Sequence, residues 1–300
     1  MDFGRLADIS RVDFSLPPER AGTAAVLHTF GGGAPRFFVG APIWGEKEWL
    51  GLIYPKNMRS PDALRHYARQ FNSIELNTTY YRIPEPKTVA AWKAAAAPGF
   101  RFCPKIPQLI SHEKQLIGCE DVTQVFCDVM SGLGEHLGPV FLQLNPGFGP
   151  ESKKTLLDYL AAFPAHVRLF VEFRHEGWFR AGSPLEDVFR FMEERHFGTV
   201  ITDTAGRRDA LHMRLTSPAA FIRYTANDLH PTDLPRIDAW VERIAQWVEQ
   251  GLQEVYFFIH TPKHVHVPVL SNYAVKRFNE RLNARLSPCV LVDEQQPELF

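Results

Sequence analysis

The sequence predicts a single-domain α/β protein with the TIM-like (β/α)8 barrel fold. Strand-like apolar runs recur eight times, roughly 20–40 residues apart, and each is followed by a segment that suits a helix or a long loop. The chain has 300 residues, which is long for most single domains but ordinary for this barrel. The recurrence and the length together favour the barrel over other α/β folds.

The chain divides into three parts. Residues 1–36 are irregular and contain Pro17, Pro18 and three consecutive glycines from Gly31 onward, so we expect an extension that packs on the barrel or caps it. Residues 37–287 hold the eight repeats. Residues 288–300 form a short acidic tail.

The repeats are assigned from their patterns of apolar residues. The predicted strands are residues 37–42, 73–80, 101–107, 140–145, 168–174, 199–204, 220–225 and 254–260. The segment between Asp203 and Ala220 suits a loop or a short helix.

Two predicted helices have clear boundaries. Residues 61–71 place apolar side chains at helical spacing, with Ser60 as the expected N-cap and Pro61 at the first helical position. Residues 234–252 carry an apolar stripe that includes two tryptophans, and Gly251 is the expected stop. A tryptophan stripe of this kind is typical of a helix that packs on a core.

The composition excludes a strong global charge effect. There are 33 basic and 34 acidic residues, so the net charge of -1 predicts no overall attraction to nucleic acid or membrane, although a local basic cleft is compatible with it.

The cysteines have neither metal-finger nor redox-pair spacing, and we expect reduced thiols. They are Cys103, Cys119, Cys127 and Cys289. The sequence contains no signal-like N-terminus and no uncharged run of about 18 apolar residues, so a cytoplasmic protein is predicted.

Polar and charged residues occur near the carboxyl ends of the predicted strands. Because residues two apart in a strand share a face, these side chains should point into one barrel mouth while their apolar neighbours face the helices. They are Glu75, Asn77, Cys103, Lys105, Gln143, Asn145, Glu172, Arg174, Asp203, Arg223 and His260. The pattern predicts a concave polar site. The alternative is that pairs such as Glu172 with Arg174 only neutralise each other's charge inside the barrel.

Several linked runs resemble the YecE-like family, known as domain of unknown function 72. The similar segments, in order, are VGAPIWGEKEWLGLIYP, FNSIELNTTYYRIP, FRFCPKIPQLISHEKQL, LGPVFLQLNPGF and VEFRHEGWF. The resemblance implies a TIM-like barrel without an established activity, and it transfers no catalytic residue. Departures around Trp44, at Asn145 and at His260, together with the N-terminal extension, indicate a subfamily.

Two chemistries fit the polar residues, and the first is free of metal. Glu172 or Glu75 would be the general base, while Lys105, Arg174 and Arg223 would bind a phosphate or carboxylate. Further residues predicted to contact a substrate are Trp44, Asn77, Tyr80, Gln143, Trp178 and His260. The aromatic members, with Tyr81, would stack on a sugar or a base, and ordinary core packing is their alternative.

The second chemistry uses a divalent metal. Its candidate ligands are Glu75, Glu172, Asp203, His112, His175 and His260. Asp203 and His112 are also candidate catalytic residues, and His112 suits an acid, a ligand or an exposed imidazole. His264 and His266 form a close pair, but they follow the last strand and are expected at the surface.

The last five residues resemble the peptide with which bacterial DNA-maintenance enzymes dock on the replication sliding clamp. Gln296 would set the register by hydrogen bonds, and Leu299 and Phe300 would fill an apolar pocket. The alternative is a tail whose last two side chains pack on their own domain.

Three functions therefore remain open. The first is a hydrolase that acts on a phosphorylated or nucleic-acid-like substrate, with Glu172 at its centre. The second is a non-catalytic ligand-binding or adaptor protein of DNA maintenance, recruited by its tail. The third is a metal-dependent sugar isomerase. Dinucleotide-binding, P-loop and nucleophile-elbow motifs are absent from the sequence, which disfavours redox and serine-hydrolase chemistry.

Overall fold

The computed structural model describes residues 3–29 and 33–292, and its core is a barrel of eight parallel strands. In chain order the strands are β1 Arg36–Ala41, β2 Ser73–Leu76, β3 Arg101–Pro104, β4 Val140–Gln143, β5 Leu169–Glu172, β6 Gly198–Asp203, β7 Ala219–Thr225 and β8 Glu254–His260. Strands that follow one another along the chain are neighbours in the sheet, and β1 also pairs with β8. The predicted TIM-like (β/α)8 fold is confirmed.

Strands β3 and β4 complete the ring. They are joined by backbone hydrogen bonds from Gly138 N to Phe102 O (2.7 Å) and from Ile106 N to Phe141 O (2.9 Å). The other seven neighbouring pairs have regular parallel registers, with Arg223 of β7 opposite Phe258 of β8 as an example. The strand register thereby fixes the position of each inward-pointing side chain along the barrel axis.

Several predicted strands are too long at their carboxyl ends. Strand β2 ends at Leu76, and residues 78–81 form a short helix instead. Strands β3, β4 and β5 end at Pro104, Gln143 and Glu172. The chain leaves the barrel wall where the strand ladder ends. Some predicted site residues are therefore the first residues of loops.

The helices surround the barrel. They are α1 Thr23–Thr29, α2 Ala63–Gln70, α3 Thr78–Tyr81, α4 Pro86–Ala95, α5 Glu120–Ser131, α6 Lys153–Ala162, α7 Leu185–Glu194, α8 Asp233–Gln250 and α9 Val267–Leu282. Helix α8 ends as predicted at Gly251, whose φ of 118° is left-handed and favours glycine. Ser60 does not cap α2, because it lies inside the 3-10 turn Ser60–Asp62 that precedes the helix.

The connection between β6 and β7 contains only a 3-10 turn, Arg208–Ala210, in place of a barrel helix. Helix α1 of the N-terminal extension packs there. Leu27 of α1 joins the apolar cluster that lies outside β6, β7 and α8, and Leu215 N donates to Thr23 Oγ1 at 3.1 Å. The extension thus covers the outer face that this connection leaves open.

The barrel interior is filled in layers. At the amino-terminal end, buried Glu254 pairs with Arg36 and with Arg168, whose Nη1 lies 2.6 Å from the carboxylate. The next layer is mainly apolar and aromatic, and its members are Phe38, Cys103, Phe141, Phe170, Val200, Ala219, Phe221, Tyr256 and Phe258. Ile74, Val171 and Ile259 face the helices, which confirms the predicted alternation. These layers close the barrel below its mouth.

The N-terminal segment crosses the mouth and then follows the outside of the barrel. The Phe3 ring covers the Arg174 guanidinium, with 3.9 Å from Cζ to the ring centroid, and Gly206 N donates to Gly4 O at 2.7 Å. Further along, Arg243 Nη1 donates to Pro17 O at 3.0 Å. The segment therefore touches the mouth and α8 before it forms α1.

Other sequence expectations are tested only in the described part of the chain. Within residues 3–29 and 33–292, no helix is both long and apolar enough to span a membrane. All four cysteines are buried free thiols. The clamp-like residues Gln296, Leu299 and Phe300 lie outside the described residues.

Candidate functional site

Seven strands bring polar side chains together at the carboxyl-terminal mouth. The residues are Glu75, Lys105, Gln143, Glu172, Thr202, Arg223 and His260, and each is 7% exposed or less. Alternate residues of β3 to β8 contribute to the mainly apolar and aromatic layer beneath them. Most of the predicted polar site residues therefore meet in one cluster.

Arg223 occupies the centre of this cluster and is 1% exposed. Its Nε and Nη2 donate to the two carboxylate oxygens of Glu75, both at 2.9 Å. Its Nη1 donates to both oxygens of Glu172 at 3.0 and 3.1 Å. One guanidinium thus joins carboxylates from β2 and β5, in the charge-assisted geometry that arginine favours.

Glu172 accepts further hydrogen bonds. Arg174 Nε and Thr202 Oγ1 donate to its Oε1 at 2.9 and 2.8 Å, and Gln143 Nε2 donates to its Oε2 at 2.8 Å. Burial raises the pKa of Glu172, but Arg174, Arg223 and these hydrogen bonds outweigh burial and lower the pKa to about 2. A carboxylate so stabilised is a weak base, and the geometry disfavours the predicted role of Glu172 as general base.

Glu75 is held in the same way. Asn77 Nδ2 donates to Oε1 and His260 Nε2 lies 2.9 Å from Oε2. Burial raises the pKa of Glu75, yet Arg223 and His260 hold it well below its usual value. An ionised carboxylate can only accept, so His260 donates from Nε2. Burial also lowers the pKa of His260, which leaves Nδ1 of the neutral ring as an acceptor.

Lys105 is the cluster's cation at the cavity. Its Nζ donates to Gln143 Oε1 at 2.9 Å and lies 4.0 Å from the centroid of the Tyr80 ring. Burial and the positive charge of Arg223 lower the pKa of Lys105 to about 8, against the opposing effect of the two carboxylates. The backbone is held by Thr79 Oγ1, which donates to Lys105 O at 2.7 Å.

His112 lies beside the cluster in a π-helix, Leu109–Glu113, a rare form that often occurs at functional sites. Its ring meets Tyr80 edge-on at 5.3 Å, and its Nδ1 is 2.8 Å from Ser111 Oγ. Burial and the charge of Lys105 lower the pKa of His112 to about 4. The ring is therefore neutral at physiological pH and is not a protonated general acid.

A cavity of about 550 Å³ opens above the cluster, a size that suits a small molecule. Lys105, Gln143 and His260 contribute to its polar lining, with Asn77 and Tyr80 at its side. Phe3, Gly4 and Arg5 of the extension form another part of the wall. Of the predicted aromatic residues, Tyr80 and Tyr81 line the cavity.

The prediction that Asp203 faces the mouth is wrong. Its carboxylate accepts from Trp240 Nε1 at 2.8 Å, lies 2.9 Å from Arg236 Nη2, and also pairs with Arg208. Those partners are outside the barrel. The physical reason is strand alternation: Thr202 points inward to Glu172, so the next residue must point outward.

The structure places neither Trp178 nor Trp44 at the cavity. Trp178 is fully buried, and its Nε1 donates to Phe148 O at 2.8 Å. Trp44 packs edge-on against Trp92 with 6.3 Å between ring centroids. Neither ring lines the cavity in the described part of the chain, because both fill apolar space on the helix side.

The candidate metal ligands do not form a metal-binding group among the described residues. Across residues 3–29 and 33–292, no group of three or more His, Cys, Asp or Glu side chains is placed to hold a metal ion. The guanidinium of Arg223 occupies the space between Glu75 and Glu172 and bonds to all four carboxylate oxygens. His175 Nδ1 accepts from Gly177 N at 3.0 Å. Among the described residues, this donor set does not fit a divalent metal.

Several parts of the site were not predicted. Thr202 donates to Glu172, and strict alternation along β6 would have identified it in place of its charged neighbour. The wall formed by Phe3, Gly4 and Arg5 has no local sequence signal, because it depends on where the extension returns to the barrel.

Comparison with known proteins identifies the relationship of the chain. The family model described as "Protein of unknown function DUF72" matches residues 38–297. The chain belongs to the DUF72 family. The DUF72 assignment agrees with the similarity to UPF0759 protein YecE of Escherichia coli, which is 32% identical over 251 residues, or 78% of this chain and 89% of that protein. The resemblance predicted from the motifs is confirmed.

Solved DUF72 structures share the fold. A DUF72 family protein from Enterococcus faecalis has a TM-score of 0.64 and 20% identity, covering 88% of this chain and 99% of that chain. Another, from Thermotoga maritima, has a TM-score of 0.56 and 20% identity, covering 83% and 98%. At this identity the likeness shows the DUF72 barrel alone.

Proposed function

We propose that the barrel mouth binds a small anionic ligand, a phosphate or carboxylate compound, which contacts Lys105. The observation that carries this proposal is the position of Lys105, which is 6% exposed and lines the cavity. A cation that is withdrawn from bulk water attracts anions more strongly than the same charge in water.

Lys105 is the cation best suited to direct contact. Arg223 bonds to both carboxylates, and the guanidinium of Arg174 lies under the ring of Phe3. An ammonium group has three N–H donors, and within the described residues Gln143 Oε1 accepts one of them. Because Lys105 lines the cavity, a remaining donor can serve phosphate or carboxylate oxygens of a ligand there.

The geometry favours binding over hydrolysis that depends on Glu172. The carboxylate of Glu172 is ionised, and four side chains already donate to it. A hydrolase at this mouth would need a different base. Of the three functions predicted from the sequence, non-catalytic ligand binding therefore has the best support, while recruitment to a sliding clamp by residues 296–300 stays a prediction.

Calorimetric titration tests the anion site, with inorganic phosphate in one arm and pyruvate in the other. We expect saturable binding at one site per chain. The substitution Lys105→Met should weaken it about tenfold or more, because a hydrogen bond to a charged group contributes about 1.5–3 kcal/mol. Lys114→Met is the matched control, since Lys114 is exposed and bonds to Gly118 O nearby. Equal affinity of wild type and Lys105→Met would refute the proposal.

A further inference from the structure

We propose that Lys105 is also a nucleophile that forms an imine with a carbonyl group of its ligand. The substrate class is then an aldehyde or ketone that also carries a carboxylate or a phosphate. This inference rests on the anion site proposed above, and it adds a covalent step that anion binding alone does not require.

The position of the amine supports this chemistry. Lys105 Nζ lies at the cavity, above an aromatic layer that closes the barrel from below. It is held from two sides, by Gln143 Oε1 at 2.9 Å and by the face of Tyr80 at 4.0 Å. Gln143 is itself fixed by its donation to Glu172. A ligand that enters the cavity therefore meets an amine whose location is already set.

Lys105 differs from the other lysines of the chain. The remaining nine are exposed or half-buried, whereas Lys105 is 6% exposed. Burial and the nearby Arg223 bring the pKa of Lys105 to about 8, so roughly one tenth of it is the neutral amine at pH 7. An ordinary lysine, with a pKa of 10.5, has about 300-fold less neutral amine at that pH. Desolvation of this kind is a recognised way to activate a lysine.

The step balances without a further reactant. The lone pair of Nζ attacks the carbonyl carbon, and one amine proton moves to the former carbonyl oxygen to give a carbinolamine. The second amine proton leaves with that hydroxyl group as water, and a C=N bond replaces the C=O bond. Protonation of the imine restores a positive charge at Lys105, so the attraction for the ligand's anionic group is retained.

Reductive trapping on the full chain tests the step. The protein is incubated with pyruvate or with glycolaldehyde phosphate at about pH 8, near the pKa of Lys105, and the imine is reduced with cyanoborohydride. Hydroxyacetone, a neutral ketone of similar size, is the ligand control. Intact mass and peptide mapping then locate the reduced adduct, and the pyruvate and glycolaldehyde phosphate arms distinguish a carboxylate from a phosphate ligand.

We expect one adduct per chain on Lys105, formed at least about tenfold faster than on Lys114, because burial enlarges the neutral-amine fraction of Lys105. Inorganic phosphate should slow it by competition, and hydroxyacetone should give little. Lys105→Arg keeps a cation but has no attacking amine, so it should still bind phosphate while losing the adduct; Lys114→Arg should behave as wild type. Circular dichroism verifies that both variants are folded.

Two results would overturn the inference. One is an adduct spread over surface lysines while the Lys105 peptide stays unmodified. The other is the same amount of adduct in Lys105→Arg as in wild type. If phosphate binds normally and no adduct forms at Lys105, the imine is refuted and the anion site stands. If phosphate does not bind either, both proposals fail.

Discussion

The substitution Arg223→Met removes the cation that Glu75 and Glu172 share. Both carboxylates are 1% exposed or less, so water cannot replace the lost guanidinium. Removing one partner of a buried ion pair costs about 3–5 kcal/mol. Glu172 retains Arg174, whereas Glu75 keeps only neutral donors. We therefore expect a loss of about 4 kcal/mol in the free energy of unfolding at neutral pH.

The size of this loss should depend on pH. In the wild type, the pKa of Glu172 is about 2 against an ordinary 4.5, a difference that corresponds to about 3 kcal/mol. Because the folded-state pKa is the lower one, this stability is present above pH 4.5 and is lost as the pH falls toward 2. In Arg223→Met the buried carboxylates have higher pKa values and are protonated earlier. The gap between variant and wild type should shrink as the pH falls from neutral to about 4.5.

Urea unfolding monitored by tryptophan fluorescence at several pH values measures this gap. Arg281→Met is the control, since Arg281 forms an exposed pair with Glu242 and its loss should leave the midpoint unchanged. Adding Glu75→Gln to Arg223→Met should recover part of the stability, because the carboxylate that lost its cation is then neutral while Glu172 keeps Arg174. A midpoint shift no larger than the control's, or one that is constant across pH, contradicts the reasoning.

The other predictions concern single contacts of the mouth and the tail. Thr202→Val should lower the free energy of unfolding by about 1.5–3 kcal/mol, measured by urea unfolding, because Glu172 loses a hydroxyl donor; a change near zero would show that this bond contributes little. Phosphate affinity should fall as the pH rises through about 8, where Lys105 loses its charge, and calorimetry that finds constant affinity speaks against contact with Lys105. A chain without residues 296–300 should be retained less than the full chain on immobilised sliding clamp, and equal retention would end the clamp hypothesis.

Strand alternation made the mouth predictable from sequence. The period of two in a strand is local, so the inward positions of Glu75, Glu172 and Arg223 follow from a few residues around each one. Asp203 was assigned to the mouth because it is charged, although its position in β6 makes its side chain point outward. In a strand with a regular ladder, this alternation is a better guide than charge. Trp178 was misplaced for a related reason, since an aromatic residue beside a polar strand end is as suitable for the core as for a rim.

The chemistry of the cluster was not predictable from sequence. Arg223 and Glu75 are 148 residues apart, and only the closed barrel places one guanidinium between two carboxylates. The contact of Arg223 with Glu172 decides whether Glu172 is a free base or a structural anion. The contact between the Phe3 ring and the Arg174 guanidinium likewise joins residues that are far apart in the sequence. Local patterns carry no information about such distances.

Helix α1 has a consequence for the order in which the chain becomes stable during synthesis. Its partner Leu215 lies 192 residues downstream of Thr23, so α1 leaves the ribosome long before the strand and helix that bury Leu27. Contacts of such sequence separation form slowly. Helix α1 is therefore made well before the elements on which it docks, and until β7 and α8 exist its apolar face lacks its native cover.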